Sequence, residues 1–279
     1  MKNETGYFEG RENKKLFYQK WLPDTGDFKA ILIAIHGFGN HSNMMKIPAE
    51  FLVEKGYAVY SFDLRGHWRN IGENTGHIDS MDHVQKDIVL FMDVVKEKAG
   101  DKKIFLLGHS FGGLISLEYA ITHPMLAGVI AVSPLVDLSL NESFGKKFIK
   151  KMVKVASPMK TEPYNIDHKE LTSDLKILKM FHTDKNLTKV ISAKTVADMS
   201  SSLKWVINNT KKLSCSVLFM LAGRDKLVDI QKAKKFFEDI RSEDKTLKVY
   251  EDYLHELLFE KRRAQVYLDI FVWLEKHIK

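Results

Sequence analysis

Short apolar runs alternate along the chain with longer stretches in which apolar positions recur every three or four residues. The runs are Ala30–Ile35, Ala58–Phe62, Ile104–Leu107, Val129–Val132, Val217–Leu221 and Leu247–Tyr250, rich in Val, Ile, Leu and Phe. Runs this continuous suit strands of a parallel sheet covered on both faces. Between them, Asp82–Lys98 sets Val84, Ile88, Phe91, Met92 and Val95 on one helical face, and Ile230–Ile240 and Ala264–Ile278 repeat the spacing. A hairpin is predicted ahead of them, from Gly6–Glu9 to Leu16–Leu22 across a polar turn. Strands alternating with helices build βα units, so the fold class is α/β with an open, mostly parallel sheet.

The alternation stops after Val132. From Leu135 to about Lys212 no strand-length apolar run occurs, but helical patterning returns around Phe144–Val155, Leu171–Phe181 and Ala193–Ile207. Charge marks out the same stretch. Residues 136–212 carry 15 Lys, 8 Asp/Glu and no Arg, and the rest of the chain is balanced, so the whole formal charge of +7 resides there. This pattern predicts a basic helical insertion between two strands. In its first helix Phe144, Phe148, Ile149, Met152 and Val155 share one side, while Lys146, Lys147, Lys150, Lys151 and Lys154 cover the other. Such a helix packs its apolar side on a core with solvated lysines, or lies on an anionic bilayer as a peripheral contact. Nucleic acid is not an expected partner, because the stretch has no arginine and no recognised binding motif.

Composition narrows the class further. The 279 residues are 44% hydrophobic and 28% charged, with 16 Gly and 6 Pro, a globular balance that excludes a disordered, collagen-like or disulfide-scaffold chain. Cys215 has no intrachain partner, which fits a reducing compartment. No apolar run approaches the ~18–20 residues of a membrane span, and the first thirty residues lack a secretory pattern, so a cytoplasmic protein is expected.

The sharpest chemical signal follows the run Ile104–Leu107: Gly108-His109-Ser110-Phe111-Gly112, then a helical stretch, Gly113–His123. In a G-x-S-x-G element the serine occupies a strained strand-to-helix turn, and the glycines omit side chains where the two backbones approach. A serine nucleophile needs a base, and the base an orienting carboxylate. After later strands come Asp225, in Ala222-Gly223-Arg224-Asp225, and His255, in Glu251-Asp252-Tyr253-Leu254-His255. Each falls at the strand end where open α/β sheets place their sites. Asp229, four residues on, ranks second to Asp225. His77 and His83 precede the serine, against the expected order, and His277 is expected to be solvated on the terminal helix. His36-Gly37-Phe38-Gly39-Asn40 follows another strand, and the N–H groups of Phe38 and Phe111 are the expected oxyanion donors. Losing one such donor costs about 2.7–4 kcal/mol of transition-state stabilisation. Asn40 and His109 are expected to face substrate, although the His109 side chain should point away from that of Ser110.

These motifs together resemble α/β-hydrolases of the monoacylglycerol lipase/lysophospholipase group. The matching segments are His36-Gly-Phe-Gly39, Asp63-Leu-Arg-Gly-His67, Gly108-His-Ser-Phe-Gly-Gly113, Ser133-Pro-Leu135, Gly223-Arg-Asp225 and Asp244–Glu251 with His255-Glu256, in order along nearly the whole chain. The resemblance implies an α/β-hydrolase fold, a mostly parallel eight-stranded sheet flanked by helices. Its core would be residues 1–135 and 212–279, with residues 136–211 a helical cap inserted after the sixth strand. It also implies a serine esterase or lipase that cleaves single-acyl lipids through an acyl-enzyme, with Ser110 as nucleophile, His255 as general base and acid, and Asp225 as orienting acid. A short-chain carboxylesterase, thioesterase or peptidase on the same fold, and a non-catalytic binding protein, are the competing readings. Two loops depart from the group's pattern. Asn40 stands where Glu is usual, and Gly66-His67-Trp68-Arg69-Asn70 replaces Gly-His-Gly-x-Ser. Both loops are expected beside the site and so to affect headgroup recognition. Gly37-Phe-Gly39 lacks the third glycine of a dinucleotide fingerprint, and His255-Glu-Leu-Leu-Phe259 lacks the second histidine of a zinc helix. No metal and no cofactor are expected.

Overall fold

The computed structural model describes residues 1–72, 74–137, 157–164 and 166–278. The helix expected over Phe144–Val155, with its lysine face, lies outside these residues. The sheet has eight strands: β1 (Lys2–Glu9), β2 (Lys15–Leu22), β3 (Ile31–Ile35), β4 (Ala58–Phe62), β5 (Ile104–His109), β6 (Gly128–Val132), β9 (Ser216–Ala222) and β10 (Lys245–Tyr250). They run in the order β1-β2-β4-β3-β5-β6-β9-β10. Only the β1–β2 and β2–β4 pairs are antiparallel. From β4 to β10 every pairing is parallel. The expected α/β sheet is thus present, with β1 extended back to Lys2. Its outer residues Lys2, Asn3 and Glu4 are exposed on an edge, where polar side chains discourage pairing with another chain and leave no apolar pattern to read.

Alternate residues of the central strands feed two cores, as period-two side-chain geometry requires. Ile31, Ile33 and Ile35, with Phe219 and Leu221, face α2 (Met81–Ala99), α3 (Phe111–Thr122), α5 (Ala193–Asn209) and α6 (Ile230–Asp239). Leu32, Ala34, Leu218 and Met220 face α1 (Lys46–Glu54) and α7 (Ala264–His277) on the opposite side. Helix α1 was not anticipated. Pro48 sits in its first turn, where a missing N–H costs nothing, yet in the sequence it reads as a break. The terminal helix also corrects an expectation. His277 is only partly solvated: it stacks on Trp273 at 4.0 Å between ring centroids and binds the exposed Asp244 at 2.7 Å.

Between β6 and β9 the chain leaves the sheet. It forms a small antiparallel pair, β7 (Thr161–Pro163) with β8 (Val190–Ser192), around α4 (Leu175–Thr183), followed by α5. The helix expected from Leu171 starts only at Leu175, because Asp174 turns its carboxylate onto the N–H groups of Lys176 and Ile177 and caps the first turn. Three-residue strands such as β7 and β8 carry too few apolar positions to show in a sequence pattern. No helix among the described residues is long and apolar enough to cross a membrane.

Phe91 of α2 anchors the antiparallel end. It is fully buried, with ring centroids 4.8 Å from Phe8 of β1, 5.0 Å from Phe62 and 5.3 Å from Tyr18. Phe91→Ala should lower unfolding free energy in urea by about 3–5 kcal/mol. A loss below about 1 kcal/mol would show that this cluster does not hold β1 and β2 in place.

Candidate active site

The connection from β3 to β4 and the one from β4 to β5 run in opposite directions along the sheet, which opens a crevice at the strands' carboxyl ends. Ser110 lies there, between β5 and α3, at φ 54° and ψ −115°. Left-handed φ is costly for a residue with a Cβ, and the surroundings enforce it. The Ser110 N–H donates to the Val132 carbonyl at 3.0 Å, while its own carbonyl accepts from Gly113, Leu114 and Leu135. A Cβ on Gly108 would come within 2.2 Å of the Gly112 carbonyl oxygen, and one on Gly112 within 2.2 Å of the Ile35 oxygen. Glycine at both positions is therefore a packing requirement.

Asp225 and His255 reach the same point from the turns after β9 and β10. His255 Nδ1 lies 2.7 Å from Asp225 Oδ2, and His255 Nε2 lies 2.9 Å from Ser110 Oγ. The other Asp225 oxygen accepts the N–H groups of Leu227 and Val228, at 2.8 and 3.0 Å. With Nδ1–H donating to the carboxylate, Nε2 is left as an acceptor for the serine hydroxyl. Burial pushes the Asp225 carboxyl up, but the charge and hydrogen bond of His255 and the two N–H groups outweigh it and hold it below its ordinary value. Burial pushes His255 down, and the Asp225 carboxylate outweighs that and raises it above 6.5. The other candidates are placed elsewhere. Asp229 caps α6, His77 binds Ser192 and His83 faces Glu12.

Phe38 and Phe111 are brought side by side, with ring centroids 6.0 Å apart. Neither backbone N–H has an acceptor among the described residues. The loop carrying Phe38 is held by two buried histidines: His36 Nε2 accepts the Leu64 N–H at 3.0 Å, and His67 Nε2 accepts the Gly39 N–H at 3.1 Å. Both act as neutral acceptors. Burial drives His36 well below its ordinary value and His67 to about 4. The local sequence gives no sign of this support, since His67 lies one strand away from the loop it holds.

Ser110 opens into a cavity of about 430 Å³, within the usual range for small-molecule sites. Its walls are largely apolar, with Leu135, Ile166, Leu171, Phe181, Ile191 and Met199 among them, and all six belong to the segment between β6 and β9. Asn40 and His109 both line it. The His109 side chain is fully buried with its ring 5.3 Å from that of His255, and burial pushes it down to about 3. Glu256 and Tyr164 also line the cavity; the sequence marks Glu256 only as part of the His255-Glu256 motif and gives no signal for Tyr164. The other departing loop does not reach it. The Trp68 ring packs against His41 with centroids 4.6 Å apart, Arg69 lies 4.2 Å over Phe17, and Asn70 accepts the Phe17 N–H, so these residues brace the loop against β2.

A strained serine at a βα turn, in hydrogen-bonded register with a histidine and an aspartate on an eight-stranded α/β sheet, defines the α/β-hydrolase class. The family described as Serine aminopeptidase, S33 matches residues 26–262. The chain belongs to this family and is a serine ester hydrolase. It is 29% identical over 250 residues to the monoglyceride lipase of Mus musculus, covering 88% of this chain and 81% of that one. An uncharacterized abhydrolase domain-containing protein of Dictyostelium discoideum is 27% identical over 96% of this chain, which spans only 28% of that longer protein. Among solved structures, a soluble variant of monoglyceride lipase from Saccharomyces cerevisiae, in complex with a substrate analog, matches with a TM-score of 0.90 at 25% identity. That match covers 99% of this chain and 96% of the other.

The position of the His255 titration depends on the carboxylate beside it. Asp225→Asn should lower the His255 pKa toward or below 6.5, followed by the imidazole proton resonances across a pH titration. An unmoved titration would mean that the 2.7 Å contact does not persist in solution.

Proposed function

We propose that the protein hydrolyses carboxylic esters of single-acyl lipids, monoacylglycerol or lysophospholipid, through an acyl-enzyme on Ser110. The observation that carries this is the hydrogen-bonded series Asp225–His255–Ser110 at the floor of a mostly apolar cavity. In this reading His255 Nε2 takes the hydroxyl proton as Ser110 Oγ attacks the ester carbonyl. The oxyanion formed takes hydrogen bonds from the Phe38 and Phe111 N–H groups. The proton on Nε2 then passes to the departing alcohol. Water follows the same route, giving its proton to His255 and its oxygen to the acyl carbon; the bond from that carbon to Ser110 Oγ breaks, Oγ takes the proton back from Nε2, and the fatty acid leaves. Asp225 holds the tautomer and offsets the imidazolium charge. Residues 136–211 act as the cap whose apolar side chains receive the acyl chain. The names of the mouse and yeast relatives support a glyceride substrate, and the apolar wall supports a long acyl group over an acetyl one.

A peptidase reading draws on the family description, and one panel separates the two. Ser110→Ala should lower kcat on p-nitrophenyl esters by about four to six orders of magnitude and abolish fluorophosphonate labelling, with the fold unchanged by circular dichroism. Wild-type hydrolysis in that variant would remove Ser110 from its role. Across p-nitrophenyl esters, monoacylglycerols, lysophospholipids and aminoacyl anilides, turnover should rise with acyl length and be weakest on the anilides. Activity confined to acetyl and butyryl esters would overturn the lipid substrate and leave the esterase. The base must be neutral to accept the serine proton, so kcat/KM should fall as pH drops through a pKa above 6.5, the direction in which Asp225 moves His255. An acid limb well below pH 6 would contradict the assignment.

A further inference from the structure

Glu256 is a buried carboxyl in the cavity wall to which the acyl-transfer steps assign no task. It is 5% exposed and shares the cavity with Ser110 and His255. Its backbone is fixed on both sides: its N–H donates to the Leu171 carbonyl at 2.8 Å, and its carbonyl accepts the Phe259 N–H at 2.7 Å. Its Oε2 accepts no hydrogen bond among the described residues, although His109 Nε2 stands 3.5 Å away.

The groups that face this carboxyl come from five places. They are His109 at the end of β5, His255 on its own turn, Asp225 after β9, Tyr164 after β7, and the neutral amide of Asn40 after β3. His109 is not a cationic partner, because burial and the neighbouring His255 keep it neutral. Burial pushes Glu256 up to about 7, while a charged His255 and the Asn40 amide pull it down and Asp225 pushes it further up. A carboxylate here is thus costly in the resting site, and the positive charge that relieves it is that of a protonated His255.

We propose that Glu256 is a positioning residue that acts through His255: its carboxylate, in the same cavity wall and 3.5 Å from the His109 ring that packs on His255, is a second anion for the imidazolium that forms as Ser110 attacks. The inference rests on the Ser110–His255–Asp225 reading above. The proton from Ser110 Oγ stays on His255 Nε2 until the leaving alcohol takes it, and Glu256 carries no proton in the productive form. Because the charge interaction exists only while His255 is protonated, it favours the transition state over the resting enzyme and acts on kcat more than on KM. A carboxyl at position 40 would set a second acid beside Glu256, and two such groups in contact share a proton. The neutral Asn40 amide avoids that competition.

The test is the pH dependence of kcat and KM for a p-nitrophenyl ester with wild type, Glu256→Gln and Asn40→Asp, each checked by circular dichroism and fluorophosphonate labelling. Glu256→Gln should lower kcat roughly tenfold at pH 8, leave KM within about twofold, and move the acid-limb inflection down by about one pH unit. Asn40→Asp should move that inflection up and lower kcat at pH 7. Unchanged kcat and inflection in folded Glu256→Gln would overturn the proposal, as would a change confined to its melting temperature, the mark of a packing role. Should Glu256→Gln fail to fold, Asn40→Asp decides alone, and an unmoved inflection there overturns the proposal. Activity retained in Ser110→Ala would defeat the underlying triad reading instead, whatever the Glu256 variants do.

Discussion

The backbone turn between β5 and α3 constrains everything around it. Ser110 at φ 54° is tolerable only because Val132, Gly113, Leu114 and Leu135 bind its peptide groups and because Gly108 and Gly112 let strand, helix and the end of β3 meet without intervening side chains. That close approach puts the helix's first N–H, from Phe111, beside the Phe38 loop. It also aims the serine hydroxyl at the edge where the turns after β9 and β10 arrive. A relaxed turn at this point would separate groups that the sheet otherwise brings together.

Electrostatics then distinguishes four buried histidines. His36, His67 and His109 are all driven below their ordinary value by burial and serve as neutral hydrogen-bonding groups. His255 is equally enclosed but moves the other way, because a carboxylate at 2.7 Å outweighs the loss of water. One imidazole is thereby prepared to become charged while its neighbours stay neutral, so positive charge gathers at one ring instead of spreading over a cluster.

The sheet, its two-faced core and the order Ser110, Asp225, His255 are legible in the sequence because each depends on local pattern: a continuous apolar run, then a turn one or two residues beyond it. Helix α1 is hidden by Pro48, and β7 and β8 by their length. Residues 138–156, which include the stretch where the sequence pattern predicts a basic helix, fall outside the described residues. Tyr164, and the parts that His67 and Glu256 play in the site, escape for a different reason. Each owes its place to a contact across the fold, as when the Leu171 carbonyl takes the Glu256 N–H or Gly39 donates to His67. No periodicity within a few residues encodes such a contact, so an ordinary-looking glutamate beside a histidine reads as surface.

The insertion between β6 and β9 is stitched to both loops that flank Ser110. Thr188 donates its N–H to the Gly39 carbonyl at 2.8 Å, and Leu171 accepts from the residue after His255. Gly39, at φ 84°, leaves no room for a Cβ beneath the Tyr164 hydroxyl. Grafting a foreign roof onto this scaffold to change acyl preference therefore means carrying those two seams across intact, since a chimera that matches the outer walls but drops them would loosen the floor beneath.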